Sequence, residues 1–162
     1  MNQQIRELFN KAEGRYFDEG EQAQLESYAS GLLARIEVLQ AIERAETAIL
    51  DDVVAAVMNK HAVITKDHGE SASLRVRRDQ ALVLRYAAFS MLMHDKNFIY
   101  DKVAVWLRTI MLALCKPEQV LFGYQSLVDA CRKNLSADDA EAVVPYIGVL
   151  IEEFQSHGGM PS

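Results

Sequence analysis

The residues able to do chemistry in this sequence are few. Its two cysteines, Cys115 and Cys131, stand sixteen positions apart with no Cys-x-x-Cys, so no redox pair or zinc half-site is spelled out and both read as reduced apolar fillers. No two of His61, His68, His94 and His157 lie three or four apart, so no single helix offers a two-histidine metal grip, and no metal is expected. Asp51-Asp52 and Asp138-Asp139 are adjacent carboxylates. Neighbours on a helix diverge by about 100°, which suits solvated or capping charges rather than an acid/base pair. There is no GxGxxG, GxxxxGK[ST] or GxSxG. The sequence does not read as an enzyme. Its densest charge cluster is Arg75, Arg77, Arg78 and Asp79. Arg75 and Arg78 could clamp a carboxylate, since guanidinium groups suit carboxylates bidentately. On a helix, positions 75, 78, 79, 82 and 85 fall broadly on one side. The alternative is a solvated cluster of ion pairs, each worth about 0–1 kcal/mol.

Composition bounds what can position such residues. A chain of 162 residues, 50% apolar and 25% charged, is one domain's worth of ordinary globular sequence. Only 3 Pro and 8 Gly argue against a turn-rich β-sandwich. The net charge of −6 fits a nucleic-acid partner poorly. No apolar run reaches the roughly 18 residues of a membrane span, and Met1-Asn2-Gln3-Gln4 opens no signal pattern, so cytoplasmic residence is expected.

Periodicity gives helices almost throughout. Ile5, Leu8, Phe9 and Ala12 mark a short amphipathic helix that Gly14 breaks. Asp18 with Glu21 has the form of a capping box, followed by an apolar stripe of Leu25, Tyr28, Leu32, Leu33, Ile36 and Leu39. The pattern continues through Ile42, Ile49, Val53 and Met58, and its length predicts a bend near residues 44–47. Residues 66–71 are the polar break and predict an extended loop, with Ser73 capping a helix from Leu74 to about His94. A helix is expected over 98–114, with a break near Ala104. Pro117 opens another that ends around Asn134. Ser136 with Asp139 opens the last, which ends near Phe154 and carries Pro145 as a kink point. Residues 157–162 read as a tail. Seven or eight helices of mixed length suit steep, globin-like crossings better than a four-helix bundle. Residues 103–115 lack the axial histidine that haem requires.

The order of local motifs resembles one family. Leu84-Arg85-Tyr86-Ala87-Ala88-Phe89-Ser90-Met91-Leu92 with Asp95, the Arg78-Asp79 pair ahead of it, Val103 to Pro117 behind it, Ala12-Glu13-Gly14-Arg15-Tyr16 upstream, and Ser136-Ala137-Asp138-Asp139-Ala140 with Tyr146 downstream are together similar to the allophycocyanin-type phycobiliproteins. The likeness spans about Ile5 to Ile151. It implies an all-α fold, with a globin-like core (residues 32–156) behind an N-terminal helical hairpin (residues 1–31), in one domain. It also implies subunits that pair through the hairpin into light-harvesting rings, each subunit carrying a linear tetrapyrrole, usually linked by a thioether.

The sequence departs from that pattern at telling places. The family's attachment cysteine falls on Val76, which has no sulfur. Ser71 and Ala72 stand where propionate-binding arginines are expected, and Leu82, Val83 and Met111 replace pocket tyrosines. The resemblance leaves Arg75, Arg78, Asp79 and Trp106 as the pocket candidates. Trp106, Phe89, Phe98 and Tyr100 line a cavity or are plain core. For pairing it points to Ile5, Phe9, Tyr16, Phe17 and Tyr28 on the hairpin, with Lys11 in place of an acid that would face Arg85. The implied function is a phycobilisome-related subunit that holds a bilin non-covalently or fills a specialised place in the antenna. The alternative is a chromophore-free regulatory or scaffolding relative acting through its dimerisation surface. The implied partner is itself or a related subunit, in the cytoplasm or peripheral to a membrane through the antenna.

Overall fold

The computed structural model describes residues 3–60, 62–104 and 117–157, with 62–70 and 157 described as backbone alone. Among these the regular elements are all helical: α1 (Gln3–Lys11), α2 (Glu19–Lys60), α3 (Ala62–Met93), α4 (Lys96–Ile99) running into a π-helical turn (Tyr100–Ala104), α5 (Pro117–Asn134) and α6 (Ala137–His157).

The turn between α1 and α2 is built from local chemistry. Gly14 takes a left-handed φ of +81°, which a side chain would strain. Asp18 accepts from the Glu21 amide at 2.8 Å, and Glu21 accepts from the Asp18 amide at 3.0 Å, completing the expected capping box. Arg15 closes the turn with two bonds of 2.8 and 2.7 Å to Glu21. The Arg15 guanidinium and the Asp18 amide together lower the Glu21 carboxyl to about 2. A depressed carboxyl stabilises the turn at pH values above its ordinary 4.5, and that contribution fades as pH falls through about 2. Titration of the Glu21 side chain by NMR is expected to show a midpoint near 2, rising toward the ordinary range in Arg15→Ala, where the Asp18 amide still holds it partly down. An unshifted midpoint in the native chain would refute the clamp.

Two expectations fail here. α2 is one uninterrupted helix through residues 44–47, because no Pro or Gly between Leu32 and Asn59 gives it cause to break. The polar stretch 66–71 is not an extended loop but part of α3. Polarity there says only that the segment is not core. Lys and Glu are good helix formers, and the single Gly69 costs about 1 kcal/mol, less than a run of helical bonds recovers. α3 ends where His94 takes a left-handed φ of 53° and Asp95 accepts from the Asn97 amide at 3.0 Å, capping α4. The chain then enters the π turn, which periodicity did not signal. The expected helix beyond Ala104 lies outside the described residues.

Pro117 opens α5 as expected. At its end Lys133 and Asn134 each reach Asp52 of α2 at 2.7 Å. Ser136 caps α6 by accepting from the Asp139 amide at 3.1 Å while its hydroxyl donates to the Asp139 carboxylate at 2.7 Å. The helix carries through Pro145. Ser136→Ala is expected to cost about 1 kcal/mol and lower Tm by about 2–4 °C, measured by thermal melting.

α3 runs back along α2: Arg77 bonds Asp51, Arg85 meets Glu46 at 2.6 Å, and Arg35 donates to the Leu92 carbonyl at 3.0 Å. α5 and α6 pack across this pair. The shared core holds Ile49, Val53, Leu84, Ala87, Met91, Leu127, Ile147 and Leu150, with Tyr124 edge-on to Phe154 at 5.7 Å. At Gly123 the buried Gln80 amide lies 2.7 Å from where a β-carbon would stand, so α5 approaches α3 closely there.

Candidate functional site

The middle of α3 presents the charged cluster. Arg75 and Arg78 are exposed and line a shallow cleft of about 420 Å³ with Ser71 and Leu74. Arg75 has no charged partner among the described residues, and Arg78 meets its own neighbour Asp79 at 3.2 Å. Asp79 is half-buried and outside the cleft lining, its carboxylate taken by Arg78. Val76 is half-buried on the same helix. Leu82 is exposed and Val83 buried, so neither offers a polar group where the resemblance expects tyrosines. Trp106, Met111 and Cys115 lie outside the described residues. Phe89 is exposed and Tyr100 partly so, while Phe98 stacks at 6.0 Å on Tyr86.

The hairpin residues separate into two sets. Ile5 and Leu8 are buried within the chain, which removes Ile5 from the expected pairing surface: α1 turns its apolar stripe inward rather than leaving it to a partner. Phe9 remains about half-exposed, stacked edge-on to Phe17 at 5.2 Å, and Tyr16 is 97% exposed at the turn. Tyr28 lies under the Arg35 guanidinium at 5.2 Å. A cleft of about 1010 Å³ runs between α1 and the start of α2, with Lys11, Asp18, Arg35 and His94 on its walls. Within the chain Arg85 is held by Glu46.

Sequence reasoning missed Arg35 and Glu46. Arg35 ties α2 to the end of α3, and Glu46 neutralises Arg85. These pairs are 57 and 39 residues apart, and no local pattern carries such contacts. Cys131, the free thiol among the described residues, is fully buried in α5, and desolvation pushes its pKa up to about 12. No group of three His, Cys, Asp or Glu side chains among the described residues is placed to hold a metal.

A family model described as Phycobilisome protein matches residues 9–154. The chain belongs to the phycobilisome protein family. Its relatives include the allophycocyanin subunit beta-18 of Porphyra purpurea, 27% identical over 123 residues that cover 72% of this chain and 73% of the relative. A putative allophycocyanin subunit alpha 2 of Nostoc sp. is 24% identical over 157 residues, covering 93% and 98%. A C-phycoerythrin class 2 subunit beta of Parasynechococcus marenigrum is 28% identical over 108 residues, covering 64% and 61%. The chain is thus a phycobilisome-related subunit with the family's all-helical, globin-like fold. Phycobiliproteins are light-harvesting pigment proteins that carry bilins and assemble as oligomers with related subunits. Among the described residues no helix is long and apolar enough to cross a membrane.

Among the described residues the one cysteine, Cys131, is sealed in the core of α5, and Val76, at the position the resemblance gives to the attachment cysteine, carries no sulfur.

Proposed function

We propose that this subunit fills a structural place in a light-harvesting assembly, without enzymatic activity and without a covalently attached pigment. The observation that carries the reading is Val76, a half-buried valine where attachment chemistry requires a thiol. Its partner is a related subunit or a second copy, met through the hairpin of residues 1–31 and the faces beside it. It resides in the cytoplasm, peripheral to the membrane through the antenna.

A second reading rests on the cleft at Leu74, Arg75 and Arg78. Two exposed guanidinium groups beside an apolar wall match a bilin propionate on its conjugated body, held without a covalent bond. Against it, Asp79 already spends its carboxylate on Arg78.

Absorption spectroscopy separates the two. The protein is purified from cells supplied with bilin, and its visible spectrum is recorded before and after gel filtration in denaturant. The structural reading expects no visible band in either state. A native band lost on denaturation supports the second reading, and a band that stays with the denatured chain overturns both.

A further inference from the structure

The cleft between α1 and the start of α2 is graded in charge along its length. Lys11, Asp18 and Glu21 stand at the turn end, and their charges answer one another. Arg15 clamps Glu21, Lys11 is near enough to lower its carboxyl further, and Asp18 caps the Glu21 amide. Arg35 and His94 stand at the far end. Arg35 lies about 21 Å along α2 from Glu21 at 1.5 Å per residue. The remaining acid on the described walls, Glu7 of α1, accepts from the Gln3 amide at 2.9 Å.

Arg35 is a half-buried cation whose partners are neutral. Its Nε donates to the Leu92 carbonyl at 3.0 Å and its Nη2 to the Tyr28 carbonyl at 3.3 Å, and the guanidinium lies over the Tyr28 ring. Among the described residues no carboxylate pairs with it. A guanidinium carries five N–H donors, so both protons of Nη1 and one of Nη2 remain for a ligand. Gly31 makes this pose possible, since a β-carbon there would stand 2.8 Å from Nη1. The carbonyls therefore fix the group in position and leave its charge unneutralised. His94 adds a second donor. Its Nδ1 stands 3.4 Å from the Tyr146 hydroxyl, and when that hydroxyl donates, Nε2 keeps the ring proton. Gln4 and Ser27 on the same walls add an amide and a hydroxyl.

We propose that the far end of this cleft binds a phosphate group, anchored by Arg35 with His94 as its second donor. Several fixed donors suit the three terminal oxygens of a phosphate better than the two of a carboxylate. The cleft, at about 1010 Å³, also has room for a small molecule that carries the phosphate.

The test is NMR titration of the full chain with inorganic phosphate, against sodium chloride at equal ionic strength. Phosphate is expected to move the Arg35 Nε–H and His94 ring signals saturably, with a Kd of about 1 mM or below. Arg35→Gln is expected to weaken binding about fivefold or more, but it also cuts the tie to Leu92. Gly31→Ala is the cleaner variant. It keeps every donor, raises helix propensity and displaces only the guanidinium, so affinity is expected to fall by about threefold or more while the melting temperature holds. His94→Asn, which tolerates the left-handed turn, is expected to weaken binding by about twofold or more. Glycerol 3-phosphate is the second probe. Tighter binding than inorganic phosphate assigns the site to a phosphorylated molecule lying along the cleft, and equal or weaker binding assigns it to the free anion. Shifts that chloride reproduces, a response still linear at about 10 mM phosphate, or unchanged affinity in Gly31→Ala overturns the proposal.

Discussion

Leu84→Ala is expected to lower the melting temperature by about 6–12 °C. Leu84 is fully buried among Ile49, Val53, Ala87 and Leu127, where α2, α3 and α5 meet. Truncating a buried leucine removes its transfer energy and leaves a cavity that close-packed helices fill only in part, at a cost of about 3 kcal/mol. A domain of this length loses roughly 2–4 °C per kcal/mol, against a total stability of about 5–15 kcal/mol. Leu33→Ala is the control. It has the same chemistry, but Leu33 is 69% exposed, and the melting temperature of the unpaired chain is expected to stay within about 2 °C. Equal losses at the two sites would show that the described core is not the one that forms.

The second large effect is in thiol chemistry. In a Cys115→Ser background, native Cys131 is expected to react with iodoacetamide at least about a thousandfold more slowly than in the unfolded chain. Desolvation moves its pKa from 9.0 to about 12, which cuts the thiolate fraction about a thousandfold near neutral pH, and burial blocks the reagent besides. Mass spectrometry of timed quenches gives both rates. Fast native labelling would mean that the α5 surface opens and that Cys131 is accessible after all. By the same logic Val76→Cys creates a half-buried thiol on α3 beside Arg75. Its labelling is expected to exceed that of Cys131 by orders of magnitude, which marks α3 as the accessible helix.

What the sequence made legible was what local physics decides. The capping boxes at Asp18–Glu21 and Ser136–Asp139, Pro117 at a helix start and the closure of α5 at Asn134 are each a few residues satisfying their own backbone groups, and each stands where the pattern put it. The misreadings share one cause. Residues 66–71 look like a loop because they are polar, and the long α2 looks too long for a globular helix, but neither contains a residue that forbids helix. At the candidate site, the composition of the α3 cluster was visible from spacing alone. That Arg78 turns to Asp79, that Glu46 claims Arg85 and that Ile5 folds inward depend on contacts no local pattern records.

The central claim is that this phycobilisome-family chain sits in the antenna with no pigment bonded to it. The most direct measurement is the intact mass, under denaturing conditions, of the chain recovered from sedimented antenna particles of cells expressing it with a bilin supply. The account predicts that the chain is present in the particles at the mass of its 162 residues alone. A chain missing from the particles, or one heavier by a bilin, would contradict it.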